Sequence, residues 1–349
     1  MNYKALPSSY DRNYTPNPER YELSAVRRVG RSGLKINAIS IGTWQNFSEM
    51  DSREAVRNLY LAAFDNGLFT FDFGNNYGRP PGSAESLFGS FLAGELKPYR
   101  RELVIATKAG YDMWPGPNGV GSSLKYLISS LDDSLKRLGL DYVDIFYSHC
   151  YDPTTPIEET AEALDFARRS GRCLYVGISS YPAAQAKEIV DALATRGTPV
   201  IINQSHYNLL CRWVEPEIID HCAESGIGLA AFSPLAQGLL SEKHLSGSAG
   251  RAGREDSTVY CSDWDRLRAA IQAIHRMANK RGQTVAQLAL SWVLRRPEIC
   301  TAVIGVRTAE QILENVKLDT LFSSAEEQEL AEVCSGIDVD LWKESRTPA

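Results

Sequence analysis

Two kinds of hydrophobic pattern alternate along this chain. Short apolar runs rich in β-branched and aromatic residues fall near residues 36–42, 69–73, 103–107, 143–148, 173–178, 200–203, 227–232 and 301–305, and they predict eight strands. Between them the apolar positions recur every three or four residues. Val56, Leu59, Tyr60 and Ala63 make one such stripe, and Leu124, Leu127, Leu131, Leu135 and Leu138 another, as amphipathic helices require. Thr155-Pro156-Ile157-Glu158 reads as a cap, a proline at the first helical position and a capping-box glutamate, opening a helix that stops at Gly171. Ahead of these units, Ala25–Val29 and Leu34–Ile36 flank a Gly-bounded turn and predict a hairpin. Strands such as V-D-I-F-Y and C-L-Y-V-G-I are apolar on both faces, which suits a parallel sheet covered on both sides. Eight β-α units of this type predict an α/β fold, a closed (β/α)8 TIM barrel with an N-terminal hairpin and a C-terminal helical extension. Residues 1–24, without a period, read as a surface arm, and 25–349 as a single barrel domain. A doubly wound sheet would place a Gly-rich fingerprint after an early strand. The near match, Gly226-Ile-Gly228-Leu-Ala-Ala231, lies within a late strand instead.

Composition narrows the function classes. The 349 residues carry 37 basic and 43 acidic side chains, a net charge of −6, with no basic cluster of the kind nucleic acid demands. The first twenty residues lack a signal-peptide apolar core, and no later stretch reaches the length of a membrane span, so a soluble cytoplasmic protein is expected. Seven scattered cysteines, odd in number and without C-x-x-C, suit a reducing compartment. Five histidines, of which His149 is the well-placed one, argue against a metal-dependent barrel hydrolase, and no metal is expected.

A barrel of this kind carries its chemistry at the C-terminal ends of its strands. Asp72 ends the second predicted strand, Tyr77 follows in its loop, Lys108 ends the third and His149 ends the fourth. Each alone has an ordinary reading: a turn cap, a packed ring, a solvated lysine, a core histidine. Together they fit carbonyl protonation. Tyrosine is a poor proton donor near neutrality, and an adjacent ammonium can acidify it. Lys108 would supply that charge, Asp72 would orient Lys108, and His149 would position a carbonyl oxygen.

With these residues in F-G-N-N-Y-G-R-P-P-G-S-A-E, K-A-G-Y-D-M-W-P-G-P-N-G and V-D-I-F-Y-S-H, the sequence resembles the aldo-keto reductase superfamily from about residue 25 to 320. Within it, the likeness is to the branch of bacterial L-glyceraldehyde 3-phosphate reductases, itself similar to β subunits of voltage-gated potassium channels. The resemblance implies Asp72, Tyr77, Lys108 and His149 as the catalytic tetrad and NADPH/NADP+ as cofactor. It implies that Ser179, Ser180 and Gln204 hold the carboxamide, that Tyr207 stacks on the nicotinamide, and that Gly42, Thr43, Trp44 and Asp72 also contact the cofactor. By the same resemblance Ser233, Leu235, Gln237, Gly238 and Lys243 form a pyrophosphate loop, and Arg307, Gln311, Glu314 and Asn315 the adenosine 2′-phosphate and adenine site. A cation at the start of a helix, where acidic residues are usual, makes sense for Arg307 if an anion binds there. Trp44, Tyr77, Tyr111, Met113, Trp114 and His149 are expected at the substrate mouth.

The chain also departs from the pattern. Ser180 stands where most members carry Asn, His244 replaces a tyrosine, the loop 246–262 is unlike the usual one, and Leu124 and Cys150 stand where this branch tends to carry arginine. The expected activity is NADPH-dependent reduction of small aldehydes, of the glyceraldehyde 3-phosphate or methylglyoxal type. The alternative is an NADPH-binding sensor or interaction subunit. A short-chain dehydrogenase would need Tyr-x-x-x-Lys, and no tyrosine here has lysine four residues on. Expected partners are a small-molecule aldehyde and, in a homo-oligomer, further copies of the chain, with no nucleic acid.

Overall fold

The computed structural model describes residues 14–242, 263–337 and 339; Lys243, His244 and the loop 246–262 lie outside them, as do residues 1–13 of the arm. Strands β1 (Val26–Arg28) and β2 (Lys35–Asn37) pair antiparallel as the expected hairpin. Eight parallel strands then close into a barrel: β3 (Ile39–Gly42), β4 (Thr70–Asp72), β5 (Val104–Ala109), β6 (Val143–Ser148), β7 (Cys173–Ser179), β8 (Val200–His206), β9 (Gly228–Phe232) and β10 (Ile299–Ile304). Each strand pairs with the next in sequence, and β10 closes on β3. The apolar run at 36–42 is divided, with its start in the hairpin. The buried Asn37 side chain causes the break: its Oδ1 accepts from the backbone N–H of Phe69 (2.7 Å) and Thr70 (3.0 Å), and its Nδ2 donates to Gly67 O (2.7 Å).

The described helices are α1 (Arg53–Asp65), α2 (Ser83–Leu92), α3 (Leu124–Leu138), α4 (Ile157–Arg169), α5 (Ala183–Thr195), α6 (Ile218–Ser225), α7 (Trp264–Lys280), α8 (Val285–Val293), α9 (Ala309–Asn315) and α10 (Ser324–Cys334). The α1 stripe and the last four leucines of the α3 stripe are buried, and Leu124 is half-buried. At α4 the expected capping box is absent. Pro156 is itself the N-cap, and Thr155 Oγ1 donates to Asp152 Oδ2 (2.6 Å) instead of accepting from a helix N–H. From the arm, Tyr14 Oη and the Asn17 N–H both donate to Asp65 Oδ1 (3.0 Å each), which ties residues 14–17 to the end of α1.

Alternation along the strands produces two cores. Val104, Ala106, Ile145, Tyr147, Ile202, Ala230 and Cys300 fill the barrel interior, and Val29 and Ile36 of the hairpin plug its N-terminal end. The opposite parity, with Ile105, Phe71, Phe73 and Phe146, packs outward under the helices. Continuing the inward parity toward the strand ends brings Asp72, Lys108, His149 and Gln204 to one mouth. At the other end Gly30, at φ +51°, lies so close to α6 that a Cβ would fall 2.1 Å from Gly226 O.

Candidate active site

Loop geometry brings Tyr77 over the barrel. After β4, the Asn75 N–H donates to Lys108 O (2.8 Å) and the Tyr77 N–H to Gly74 O (3.0 Å). The Tyr77 carbonyl accepts from the N–H groups of Gly82 (3.1 Å) and Ala84 (3.2 Å) at the start of α2. Tyr77 Oη then lies 3.3 Å from His149 Nε2. Beneath them, the fully buried Lys108 Nζ donates to Asp72 Oδ2 (2.5 Å) and to Phe73 O (2.8 Å), 5.0 Å from the Tyr77 ring centroid. Gln204 Nε2 donates to the second Asp72 oxygen (3.0 Å). The four residues expected to act together are thus adjacent.

The electrostatics differ from the expectation in one respect. Burial, then the charge of Asp72 and the neighbouring Tyr111, hold the Tyr77 hydroxyl well above the usual phenol range. Burial outweighs any acidification by the Lys108 ammonium. That ammonium is engaged with Asp72, and burial lowers its own proton affinity while Asp72 partly restores it. Burial, and secondly the charge of Lys108, push the His149 imidazole well below its usual range. At neutral pH the mouth therefore holds a protonated phenol and a neutral imidazole, whose Nδ1 is buried without a hydrogen-bond partner.

A cavity of about 410 Å³ opens above these groups. Of the residues expected at the cofactor and substrate, Gly42, Trp44, Asp72, Tyr77, Tyr111, His149, Ser179, Ser180 and Gln204 line it. So do Ser233, Leu235, Gln237 and Gly238 after β9, and Arg307, Gln311, Glu314 and Asn315 around α9. Ser180, Ser233 and Gln237 have left-handed backbone (φ 56°, 50° and 55°), and Gln237 Nε2 is buried without a partner. Such strain in non-glycine residues concentrates where a ligand must be held.

Four expected residues stand elsewhere. Tyr207 is fully buried in the outer core, its hydroxyl donating to Glu215 Oε1 (2.8 Å) and its ring 5.3 Å from Trp292. Because β8 runs on to His206, Gln204 faces inward and Tyr207, three residues later, falls on the outer parity. Thr43 is buried below the cavity, where its N–H and its hydroxyl both donate to Asp72 O (3.0 Å each). Trp114 packs on Tyr126 at 5.1 Å, and Met113 is half-buried against the core; neither lines the cavity. Lys243 lies outside the described residues. Reading the sequence also missed Phe232, Gln45, Asn46, Glu242 and Thr284 in the cavity wall. Phe232 had a signal, two residues after the inward Ala230 on β9. Among the described residues, no helix is long and apolar enough to cross a membrane.

Comparison with known proteins agrees with this architecture. The Aldo/keto reductase family profile matches residues 38–334. An L-glyceraldehyde 3-phosphate reductase of Escherichia coli (strain K12) is 46% identical over 338 residues, covering 94% of this chain and 98% of the relative. A probable voltage-gated potassium channel subunit beta of Arabidopsis thaliana is 34% identical over 303 residues, 83% of this chain and 90% of its own. With a family match across the whole barrel and a relative this similar end to end, the chain belongs to the aldo/keto reductase family and is an oxidoreductase.

Proposed function

We propose that the protein reduces small aldehydes to alcohols with NADPH, Tyr77 delivering the proton to the carbonyl oxygen. The observation that carries this reading is the pairing of Tyr77 Oη with His149 Nε2 at 3.3 Å on a cavity wall, directly above the buried Lys108–Asp72 ion pair. A dinucleotide fits the rest of the cleft. Gln237 offers a buried donor without a partner, and Ser179, Ser180 and Gln204 offer amide and hydroxyl groups for a carboxamide. Arg307 presents a guanidinium suited to a 2′-phosphate. When bound, the reduced nicotinamide supplies a hydride.

The chain's own residues do the remaining work. His149, neutral and with Nε2 protonated, donates a hydrogen bond to the carbonyl oxygen and so orients it. Tyr77 Oη gives its proton to that oxygen as negative charge develops there. A raised phenol can still do this, because an alkoxide is a far stronger base than any phenolate. Lys108 then stabilises the phenolate left behind, its ammonium 5.0 Å from the ring. Trp44 and Tyr111 give the substrate uncharged aromatic walls.

The lining also supports a ranking of substrates. Among the described lining residues Arg307 is the single Arg or Lys, and the cofactor reading uses it. Cys150 is buried, Leu124 is half-buried, and Lys125 is exposed on the first turn of α3 outside the lining, so among the described residues no lining cation is left for a substrate phosphate. A general small-aldehyde reductase is therefore favoured over a phosphate-ester enzyme, although one relative is named for L-glyceraldehyde 3-phosphate. NADPH oxidation with L-glyceraldehyde, methylglyoxal and L-glyceraldehyde 3-phosphate tests both points. Comparable efficiencies are expected, whereas a preference for the phosphate ester of about a hundredfold reverses the ranking. NADPH binding without turnover of any aldehyde favours the sensor reading.

A further inference from the structure

We propose that Tyr147 is a positioning residue: its ring flanks the Lys108 ammonium and helps hold it charged beside Asp72. The inference rests on reading Tyr77 and Lys108 as the proton-delivering pair. Tyr147 lies on β6 two residues before His149, so it shares the inward parity and sits deeper in the barrel. An ammonium has three donors. Asp72 Oδ2 and Phe73 O accept from Lys108, and two aromatic rings flank the same nitrogen, Tyr77 at 5.0 Å and Tyr147 at 5.6 Å from centroid to Nζ. Both distances are within the range at which an aromatic face attracts a cation, and the attraction strengthens without water.

Every group facing Lys108 can be named. Asp72 on β4 and Glu85 on α2 favour its charge, Tyr77 and Tyr147 present neutral rings, His149 just after β6 is uncharged, and burial opposes the charge. The Tyr147 ring thus supports the cation without adding a further counter-charge beside the proton donor. On the other side of the carboxylate, Gln204 Nε2 donates to Asp72 Oδ1 (3.0 Å). The barrel makes room for Tyr147 at Gly177 on β7, where a Cβ would lie 2.6 Å from two carbons of the Tyr147 ring.

Titration of Lys108 in the 349-residue chain, followed by NMR of labelled lysine side chains without added cofactor, tests the role directly. Tyr147→Phe keeps the ring and should titrate as wild type. Tyr147→Leu should bind the Lys108 proton about tenfold less tightly, and the alkaline limb of its turnover should move to lower pH. Wild-type titration in Tyr147→Leu overturns the proposal whatever happens to the melting temperature. Should that variant not fold, Gly177→Ala displaces the ring without removing any polar group; it is expected to weaken proton binding in the same direction, and an unchanged titration is equally fatal. The titration does not depend on aldehyde turnover. A wild-type protein inert toward aldehydes with the expected titrations sinks the reductase reading alone, and an active one with unmoved titrations sinks this inference alone.

Discussion

The two ends of the barrel are built from the same eight strands and finished in opposite ways. At the N-terminal end, Val29 and Ile36 plug the interior, and Arg27 donates to the carbonyls of Leu294 (2.6 Å), Ile299 (2.8 Å) and Arg296 (3.3 Å). Gly30 lets the hairpin press against Gly226, whose carbonyl accepts the Arg31 N–H (2.8 Å). At the C-terminal end an ion pair is buried, five non-glycine residues of the cavity wall or its rim have left-handed backbone (Asn46, Ser180, Ser233, Ala236 and Gln237), and His149 Nδ1 and Gln237 Nε2 have no partner. One end is closed by complementary groups, while the other keeps strain and spare hydrogen-bonding capacity that a ligand can use. Substitutions at the closed end should therefore change stability and leave catalysis alone, and those at the open end should do the reverse.

The largest effect expected also marks the limit of that division. Lys108→Met should lower turnover about 10²- to 10⁴-fold, because the phenolate loses its cation. It should also cost about 3–5 kcal/mol of stability in denaturant unfolding, because Asp72 remains buried without its partner. At the closed end, Gly30→Ala forces a Cβ onto Gly226 O in a left-handed backbone. It should destabilise by about 1–3 kcal/mol with kcat/KM within about twofold of wild type, and a comparable loss of catalysis breaks the comparison. Arg307→Ala should weaken NADPH binding about tenfold in cofactor titrations and leave NADH unchanged; equal losses for both refute the 2′-phosphate role.

The smallest effect is one of pH. His149 is depressed, so its imidazole stays neutral until the pH falls well below the usual histidine range; Tyr77 is raised, so its proton stays in place far into alkali. The rate of aldehyde reduction should be flat from about pH 6.5 to 8.5. An acid limb with a midpoint near 6.5 contradicts the neutral imidazole.

The sequence made the architecture legible because strand period and helix period are local properties. It placed Asp72, Lys108 and His149 correctly because a strand end can be counted from its apolar run. Where counting stopped, so did accuracy: β8 continues past the apolar residues to His206, and that extension turned Tyr207 outward, away from the expected nicotinamide stack. Loops were harder still. Nothing in K-A-G-Y-D-M-W-P reveals that Tyr111 faces His149 at 4.6 Å while Trp114 turns to Tyr126. The direction in which the Tyr77 hydroxyl is perturbed was also out of reach. It depends on how deeply the ring is buried and on Lys108 being engaged with Asp72, neither of which spacing records. Tyr147, by contrast, was readable in principle, since it shares the inward parity of His149.

The most direct test of the account compares wild type and Tyr77→Phe side by side, in steady-state NADPH oxidation with methylglyoxal and in parallel cofactor titrations. Removing one oxygen leaves the ring beside Lys108 and deletes the hydroxyl, whose oxygen lies 3.3 Å from His149 Nε2, together with its proton. The account predicts a loss of about 10²- to 10⁴-fold in turnover, with the NADPH dissociation constant within about twofold of wild type. Turnover within about tenfold of wild type would contradict it.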